Sequence, residues 1–495
     1  MKDFYPEKEI NEIANEIVTL MPSLAPFFAN TETLPDYSRR INIYQPNPIY
    51  LRRQSFFKRK LVEKIHSLFT EAERKNIKIQ IAEDQGVAGG IIEHHGILDP
   101  PGFLSIPLVA NFYKLFAEKE KSDIVSFASG NVSLNEYFRR RGILFHGRKI
   151  NLYPKADKNK VIYGLHTYDF DIVKILKRNH QWHTYTPEEQ KFLEEITHTI
   201  KQIDFSTCKY LGDQLTKINF YLWPLLFEEK IRQDVPNLIS VEYDGIVIDY
   251  LIYVLENEKE SFIYQMLFDD VFRRKVLDEF EGVVGAWDEK KDVGTHFFWA
   301  LDENNERIHL RLRKGYLIAK NSDCRIPFTE DALVSALRSK KLLPGMFLKF
   351  ALTLFYMGMK PFTGQASFEY LTTMRKRIIN ILQDDFPHDA ELAAELLLDG
   401  MVFVSICKGK NEEGNFGDLH AFDIFYAGGF TKEYFEKVST IPFKYFLIPG
   451  LLMLYGYAVS KYSDLKNIRS FSVTDAELQG FLEKYFKDCP LVRVS

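Results

Sequence analysis

Two adjacent histidines and a glycine at residues 94–96, with an aspartate at position 99, form the most chemically suggestive group in the sequence. Imidazole titrates near neutral pH, so His94 and His95 are candidate proton-transfer groups or oxyanion donors. The alternative is a pair of loop histidines whose rings bond to neighbouring backbone. We predict that His94, His95 and Asp99 are catalytic.

A polar run precedes these histidines. Glu83 and Asp84, followed by Gln85, place two carboxylates and an amide side by side. Carboxylates in one loop can hold a substrate ammonium group or accept a proton. The alternative is a solvated loop. We predict that these three residues contact substrate, together with Asn131 further along the chain.

The stretch after the histidines predicts a helix start suited to an anion. Residues 99–102, Asp-Pro-Pro-Gly, predict a turn, since proline fixes φ and glycine tolerates strained backbone. Ser105 then predicts an N-cap, with Pro107 in the first helical turn. Backbone N–H groups and the helix dipole attract anions at such an end. Gly96, Ser105 and Lys114 are the predicted anion or cofactor contacts.

A second loop leads into a helix near Gly364. Gln365, Glu369 and Tyr370 follow within the first turns of that helix. We predict that they contact the substrate and close the site from the side opposite to the histidines.

Other chemistries lack their sequence patterns. Adjacent histidines cannot easily share one zinc ion, and no His-Glu-x-x-His helix is present, so we predict no metal site. His166, His180 and His183 are an alternative group, although residues of this kind more often pack within a connector. The sequence also contains no Gly-x-Ser-x-Gly elbow, phosphate-loop motif or Gly-x-Gly-x-x-Gly fingerprint.

Regular elements must position these side chains. Ile77–Ile81 alternates apolar and polar residues and predicts a strand, and residues 123–128 predict another after the helix that contains Ser105. Strand, loop, helix and strand in this order indicate a βαβ unit. The predicted fold class is α/β, with a Rossmann-like parallel-sheet core, helical and small β insertions and a helical C-terminal region.

The remaining pattern predicts further strands and a division into four parts. The predicted strands comprise a hairpin at 142–147 and 149–153, a strand at 238–242, a meander at 295–301, 307–312 and 315–318, and a strand at 401–407. The predicted parts are a helical region at 1–76, a Rossmann-like half at 77–235, a second α/β portion at 236–430 and an aromatic-rich helical region at 431–495.

Charge and composition exclude several classes of protein. The 495-residue chain has 64 Lys and Arg residues and 68 Asp and Glu residues. This balance argues against general electrostatic binding to nucleic acid or to an anionic membrane. Four scattered cysteines without a Cys-x-x-Cys pair fit a reducing cytosol. The apolar runs at 346–359 and 441–459 predict buried helices rather than membrane spans. We expect a soluble, cytoplasmic protein.

Three separated stretches carry an ordered set of motifs. They are Glu93–Leu104 with Tyr113-Lys114, Phe297–Gly315 with Arg307 at its centre, and Leu342–Tyr370 with Leu342-Leu343-Pro344 and Gly364–Tyr370. This set resembles the cysteine-adding enzyme family of bacillithiol synthesis. The resemblance implies a nucleotide-binding-type Rossmann core and a reaction that joins an amine to a small carboxylated substrate.

These observations lead to one functional hypothesis and one alternative. We predict a group-transfer or ligase-type enzyme that acts on a small polar or carboxylated metabolite in a Rossmann-like cleft, with ADP or ATP as the candidate cofactor. The alternative is a non-catalytic ligand-binding or assembly protein that retains the fold. Its aromatic content, with Phe 41 and Tyr 26, would suit a homo-oligomer contact near the C-terminus.

Overall fold

The computed structural model describes residues 2–79, 81–91, 93–115, 122–320, 322–410, 414–463 and 469–486. The helices in the first half are α1 Lys8–Leu20, α2 Ala25–Phe28, α3 Leu34–Asn42, α4 Pro48–Leu68, α5 Glu71–Arg74, α6 Pro101–Ala110, α7 Phe112–Leu115, α8 Ile172–Arg178, α9 Pro187–Lys201 and α10 Leu211–Leu222. Those in the second half are α11 Asp244–Asn257, α12 Phe262–Phe268, α13 Asp270–Phe280, α14 Glu330–Arg338, α15 Met346–Phe350, α16 Gln365–Leu382, α17 Pro387–Glu395, α18 Ala421–Tyr426, α19 Lys432–Val438, α20 Leu451–Tyr462 and α21 Asp475–Gly480.

The strands form several small sheets within a mixed α/β fold. They are β1 Ala88–Gly90, β2 Glu93–His94, β3 Ile124–Ser129, β4 Gly142–Phe145, β5 Arg148–Asn151, β6 Leu238–Glu242, β7 Trp287–Asp288, β8 Val293–Gly294, β9 Phe298–Leu301, β10 Arg307–Arg313, β11 Tyr316–Ala319, β12 Arg325–Pro327, β13 Leu342–Pro344, β14 Lys360–Thr363, β15 Gly400–Met401, β16 Lys408–Lys410 and β17 Phe416–Asp418.

Two three-stranded sheets are parallel, and they meet near residue 91. One has the order β1-β14-β15 and the other the order β2-β3-β6. Register aligns His94 with Ser129 and Ala128 with Glu242. The carboxyl ends of β2, β3 and β6 therefore lie side by side, which is where ligands usually bind in parallel sheets.

The predicted βαβ unit is confirmed, but its first strand was placed wrongly. β2 and β3 are parallel and are joined by α6. The described residues of 77–81 have no strand structure, and Gln80 lies outside the described residues. The unit begins instead at β2, and the strand before it is β1, whose glycines gave no β signal. A Cβ atom on Gly89 would overlap the ring of Phe127, so the missing side chain makes room for β3.

Ser105 does not cap a helix, because α6 begins four residues earlier at Pro101. The Ser105 hydroxyl lies inside the helix, where it donates to the Pro101 carbonyl at 2.7 Å and accepts from the Ile406 amide at 3.1 Å. A serine in a helix interior commonly bonds to the carbonyl four residues before it. The predicted cap is therefore a buried link between α6 and the segment after β15.

The predicted antiparallel strands are largely confirmed. β4 pairs with β5 as a hairpin, and the meander forms a five-stranded sheet of order β12-β11-β10-β9-β13. The strand predicted at 401–407 is wrong in extent. Only its first residue, Met401, belongs to a strand there, and residues 402–407 run without regular structure before β16.

Two hydrophobic cores lie on either side of β6. Leu238 packs in one core, with residues from α1, α6, α10 and α20, whereas Ile239 and Val241 pack in the other, with α4, α11 and the meander. Alternation of this kind is expected of a strand covered on both faces. Both cores draw on residues from several of the four predicted parts, and that division stays a prediction.

The two apolar runs form helices packed against these cores. The first becomes α15 and a buried π-helical turn at Ala351–Tyr356, which confirms a buried helix. The second contributes to Phe443–Tyr462, a helical stretch in the described ranges that is long and apolar enough to cross a membrane. Of the 18 most apolar consecutive positions in this stretch, 56% are buried, as in a core helix. A cytoplasmic location stays a prediction.

Candidate functional site

A cavity of about 480 Å³ opens outside the carboxyl end of β6. Its walls come from α4, the first turns of α10 and α11, the loop at 162–164 and the end of α14. This volume lies within the range of small-molecule sites. We call this cavity the β6 cleft.

Glu242 ends β6 and forms the floor of the β6 cleft. The residue is 7% exposed, and its Oε1 accepts a hydrogen bond from the Asp244 amide at 2.7 Å. No described residue donates a hydrogen bond to its Oε2. One carboxylate oxygen is therefore fixed by the start of α11, and the other is available to a ligand.

Glycines surround this carboxylate. A Cβ atom on Gly212 would lie 2.8 Å from Glu242 Cγ, and one on Gly130 would lie 3.0 Å from the same atom. Both separations are tighter than ordinary packing, so a side chain at either position would have to displace Glu242. Gly245 is less crowded, since its Cβ would lie 3.6 Å from Glu242 Oε2. The fold thus brings three distant glycines together around one acidic side chain.

The surroundings of Glu242 favour its neutral form. Burial, and after it the nearby charge of Asp244, raise the pKa of Glu242 to about 7 even though Lys64 and Lys340 oppose the shift. A carboxyl group with a pKa near neutrality can both hold and release a proton at the pH of a cell.

Lys340 brings a cation to the rim of the cleft. Its Nζ lies 4.1 Å from the ring centre of Tyr163 and 4.2 Å from that of Tyr210. No described carboxylate forms an ion pair with it. Burial lowers the pKa of Lys340, although Tyr210 and Glu242 counteract that effect. Two aromatic faces therefore hold the ammonium group where it can meet an anionic ligand.

The other charges of the cleft differ in whether they already have partners. Lys64 Nζ pairs with Asp213 Oδ1, Lys60 pairs with Glu63 at 2.8 Å, and Arg338 pairs with Glu256 at 2.6 Å. Asp249 lies one turn into α11 and makes no hydrogen bond or ion pair with a described residue. It is exposed and lines the same cleft as Lys340, so the cleft holds one carboxylate and one ammonium group without partners among the described residues.

A buried ion pair lies beneath the cleft. Asp244 is fully buried, and its Oδ1 is 2.9 Å from Lys349 Nζ. Its Oδ2 accepts hydrogen bonds from the Ser129 hydroxyl at 2.9 Å, the Gly130 amide at 2.6 Å and the Asn131 amide at 3.0 Å. Burial alone would raise the pKa of Asp244, but Lys349 keeps it below its ordinary value. This pair ties the ends of β3 and β6 to α15.

His95 lies behind the wall of the β6 cleft rather than in it. The residue is 1% exposed, and its Nε2 donates to the Gly212 carbonyl at 2.8 Å. Burial lowers the pKa of His95 to about 4, so its ring is neutral at pH 7. The Nδ1 atom has no partner among the described residues. His95 positions the start of α10, and in this structure its ring reaches no cavity of ligand size.

His94 and Asp99 are held in separate local networks. His94 Nδ1 lies 3.2 Å from Glu136 Oε2, and its ring packs on Phe103. Asp99 Oδ1 lies 2.6 Å from His420 Nδ1. The Arg139 guanidinium bonds to the carbonyls of both His94 and Asp99 and closes this end of β2.

The predicted anion contacts are not brought together. Gly96 faces Arg139, whose Nη1 would lie 2.5 Å from an added Cβ, and the Gly96 carbonyl accepts from Asn219 at 2.8 Å. Ser105 is inside α6. Lys114 lines a different cavity, of about 490 Å³, and burial lowers its pKa.

The predicted substrate contacts fall in three places. Asp84 and Gln85 line the same cavity as Lys114, while Lys58 Nζ donates to the Glu83 carbonyl at 3.0 Å and holds that loop. Asn131 donates from Nδ2 to the Pro344 carbonyl at 3.3 Å, and its Oδ1 has no described partner. None of these side chains faces the β6 cleft.

The predicted closing helix α16 also lies apart from the cleft. Glu369 Oε2 accepts from the Ser23 hydroxyl at 2.5 Å, and Tyr370 donates to Ser367 Oγ at 2.9 Å. Burial raises the pKa of Tyr370 to about 12. Gln365 is buried near Gly450.

Neither a metal site nor a comparison with known proteins assigns a function to this chain. Across the described ranges, no group of three or more His, Cys, Asp or Glu side chains is placed to hold a metal ion. The described cysteines Cys208, Cys324 and Cys407 are free, and Cys489 lies outside the described residues. No protein-family model matches the chain, and a search of curated proteins also finds no match.

Sequence reasoning missed Glu242, Asp249 and Lys340. A weak signal existed for Glu242, because an acidic residue ends the apolar strand Leu238–Glu242 and is followed by Asp244-Gly245. Lys340 follows an ordinary amphipathic helix, and no sequence motif around it indicates a binding residue.

Proposed function

We propose that the protein is an enzyme that joins an amine to a small carboxylated metabolite in the β6 cleft, with Glu242 as its proton-transfer residue. The single observation that carries this proposal is a buried carboxyl group with one unbonded oxygen on the floor of a ligand-sized cavity. Titratable groups with perturbed pKa values in clefts are frequent at functional sites.

Joining an amine to a carbon that loses an oxygen leaving group requires two proton transfers. When an amine attacks an electrophilic carbon, its nitrogen loses a proton and the leaving oxygen gains one. A carboxyl with a pKa of about 7 can deliver the second proton and recover the first. His94, His95 and Asp99 are replaced in this role, because their side chains are engaged elsewhere in the fold.

Charges in the cleft suit both substrates. Asp249 is a free carboxylate for an ammonium group, and Lys340 is a free cation for a carboxylate. Two parallel sheets, of order β1-β14-β15 and β2-β3-β6, support a Rossmann-like core, because β1 and β2 are consecutive in the chain and bring the two sheets next to each other. ADP or ATP and a homo-oligomeric state stay predictions, and the described cleft residues include no glycine-rich phosphate loop.

The test compares two buried glutamates. Glu93 also has a pKa raised by burial, but Ser126 and Ser240 donate to its two oxygens, and Glu93 lines neither the β6 cleft nor the cavity beside Lys114. Purified wild type, Glu242→Gln and Glu93→Gln are incubated with pooled amines and carboxylated metabolites, with and without ATP, and condensation products are followed by mass spectrometry.

We expect product formation by wild type to fall by about 100-fold or more in Glu242→Gln, the usual scale for losing a proton-transfer group. Folded Glu93→Gln should retain most of the activity. Equal activity of Glu242→Gln and wild type would overturn the proposal. Ligand binding without any product in all three proteins would favour the binding-protein alternative.

A further inference from the structure

We infer that the β6 cleft holds an oxyanion of its substrate, a carboxylate or a phosphate- or sulfate-type group, between the amino-terminal ends of α10 and α11. This inference rests on the proposed function, since it assigns the part of that same cleft that recognises the acidic group. It can fail independently, because anion binding is measured without turnover.

Two helix ends converge on the same point of the cleft. α10 has 12 residues and α11 has 14, and Gly212 and Gly245 lie in their first turns. Among the described residues, no acceptor bonds to the amides of Gly212, Gly245 or Ile246. The first amides of a helix need acceptors from outside it, and the helix dipole favours an anion there.

A buried polar side chain points to the same place. Glu242 packs against the first turns of both helices, since an added Cβ on Gly212 or Gly245 would lie 2.8 Å and 3.6 Å from its side-chain atoms. Its Oε2 has no partner among the described residues. In its protonated form this oxygen becomes a hydrogen-bond donor. An oxyanion could then accept from the first amides of α10, from those of α11 and from Glu242.

The surrounding charges are mixed, and their sum determines how binding depends on pH. The groups facing Glu242 are Lys60, Glu63 and Lys64 from α4, Tyr163 from the adjoining loop, Tyr210 and Asp213 from the start of α10, Asp244 and Asp249 from α11, and Arg338 and Lys340 from the end of α14. Most carboxylates here have cationic partners, whereas Lys340 has none. Ionisation of Glu242 adds a negative charge beside the oxyanion, so binding should weaken as pH rises through 7.

Gly245 offers a precise way to block the site. Its backbone is not in the left-handed region, and an added Cβ would make ordinary contacts with Glu242 Oε2 at 3.6 Å and Tyr163 Cε2 at 3.8 Å. Gly245→Ala should therefore fold, while its methyl group excludes an anion from the amide. Gly456 is the matched control, because it lies within α20 with no atom inside 4 Å of an added Cβ.

The experiment titrates sodium sulfate and sodium acetate against the full chain at pH 6, with sodium chloride at equal ionic strength as the reference. Thermal stabilisation and calorimetric affinity are measured for wild type, Gly245→Ala, Lys340→Gln and Gly456→Ala. We expect binding in wild type and Gly456→Ala, and a loss of about tenfold in affinity in the other two. Preference for sulfate assigns a phosphate- or sulfate-type group, and preference for acetate assigns a carboxylate.

Repeating the titration at pH 8 adds a second readout. Sulfate keeps its charge across this range, so weaker binding at pH 8 in wild type but not in Glu242→Gln would support the inference. No specific stabilisation by either anion, or equal affinity in wild type, Gly245→Ala and Lys340→Gln, would overturn it. Anion binding with full turnover in Glu242→Gln would instead remove only the proposed proton-transfer role.

Discussion

The acidic residues of β2 and β6, the two outer strands of one parallel sheet, have opposite surroundings. At β2, Glu93 accepts hydrogen bonds from Ser126 and Ser240, and Arg139 closes the backbone that follows. At β6, Glu242 has one fixed oxygen and one that faces a cavity of about 480 Å³. Burial raises the pKa of both carboxyl groups. A perturbed pKa therefore becomes a functional signal only where a ligand can reach the group.

The residues around each carboxylate explain the difference. The β2 end is filled by the rings of His94 and Phe103 and by the guanidinium of Arg139, which lies 4.8 Å from the Phe103 ring centre. The β6 end is bordered by Gly130, Gly212 and Gly245, which have no side chains to fill it. We call these the closed end and the open end, and the predictions below test that contrast.

The largest effect is expected from the ion pair beneath the open end. Lys349→Met leaves Asp244 charged and buried without its cation, which should lower the free energy of unfolding by about 3–5 kcal/mol. Lys275→Met is the control, since its pair with Asp385 is exposed to solvent and should contribute little to stability. Urea unfolding at pH 7 measures both. Similar small losses would show that the open end does not depend on this pair.

A second prediction concerns the stability cost of the open carboxylate. The folded protein keeps a proton on Glu242 that the unfolded chain releases, so its contribution to stability falls as pH rises from about 4.5 to about 7. Glu242→Gln removes this loss and should be more stable than wild type at pH 8, by up to about 3 kcal/mol. Denaturant unfolding at several pH values provides the measurement. A variant less stable than wild type at pH 8 would contradict this assignment.

At the closed end, His95 should behave as a structural residue. His95→Ala leaves the Gly212 carbonyl without this donor and creates a cavity, so we expect a loss of about 2 kcal/mol in unfolding free energy. A structural role of this kind takes the place of the catalytic role predicted for His95 from the sequence. His198→Ala, on the exposed face of α9, is the matched control and should change little. Unchanged stability in His95→Ala would restore the functional interpretation.

The smallest effect is expected at His94. Its side chain is 31% exposed, and its pairing with Glu136 lies near the surface. His94→Ala should therefore change the unfolding free energy by less than about 1 kcal/mol. Differential scanning calorimetry compares this variant with His95→Ala. A loss of stability as large as that of His95→Ala would mean that His94 contributes more to the fold than its contacts indicate.

Sequence patterns predicted the elements that follow simple periodicity. β3, β4, β5, β6 and the meander were placed within a few residues, because their apolar and β-branched residues match strands with buried faces. β1 was missed, because glycines in a strand make sense only once the Phe127 ring is seen above Gly89. Ser105 was misread, since a serine two residues before a proline looks the same at a cap and inside a helix.

The candidate site was less predictable than the fold. Histidines and clustered acids attract notice in a sequence, but their environment decides whether they are free to react. His95 is bonded to a carbonyl on another helix, and Asp99 is paired with His420, a residue far along the chain. Glu242 matters because separate glycines and Lys340 meet around it. These long-range juxtapositions leave no local pattern to detect.

Lys340 and Asp249 both belong to the chain segment inserted between β6 and β14, whereas Glu242 belongs to the sheet itself. The residue proposed to move protons and two residues proposed to choose the substrate are thus encoded in separate stretches. Selection could exchange the second set, by altering α11 or the end of α14, without disturbing the first. In a duplicated gene, this separation would allow new substrates to be tried while the reaction is kept.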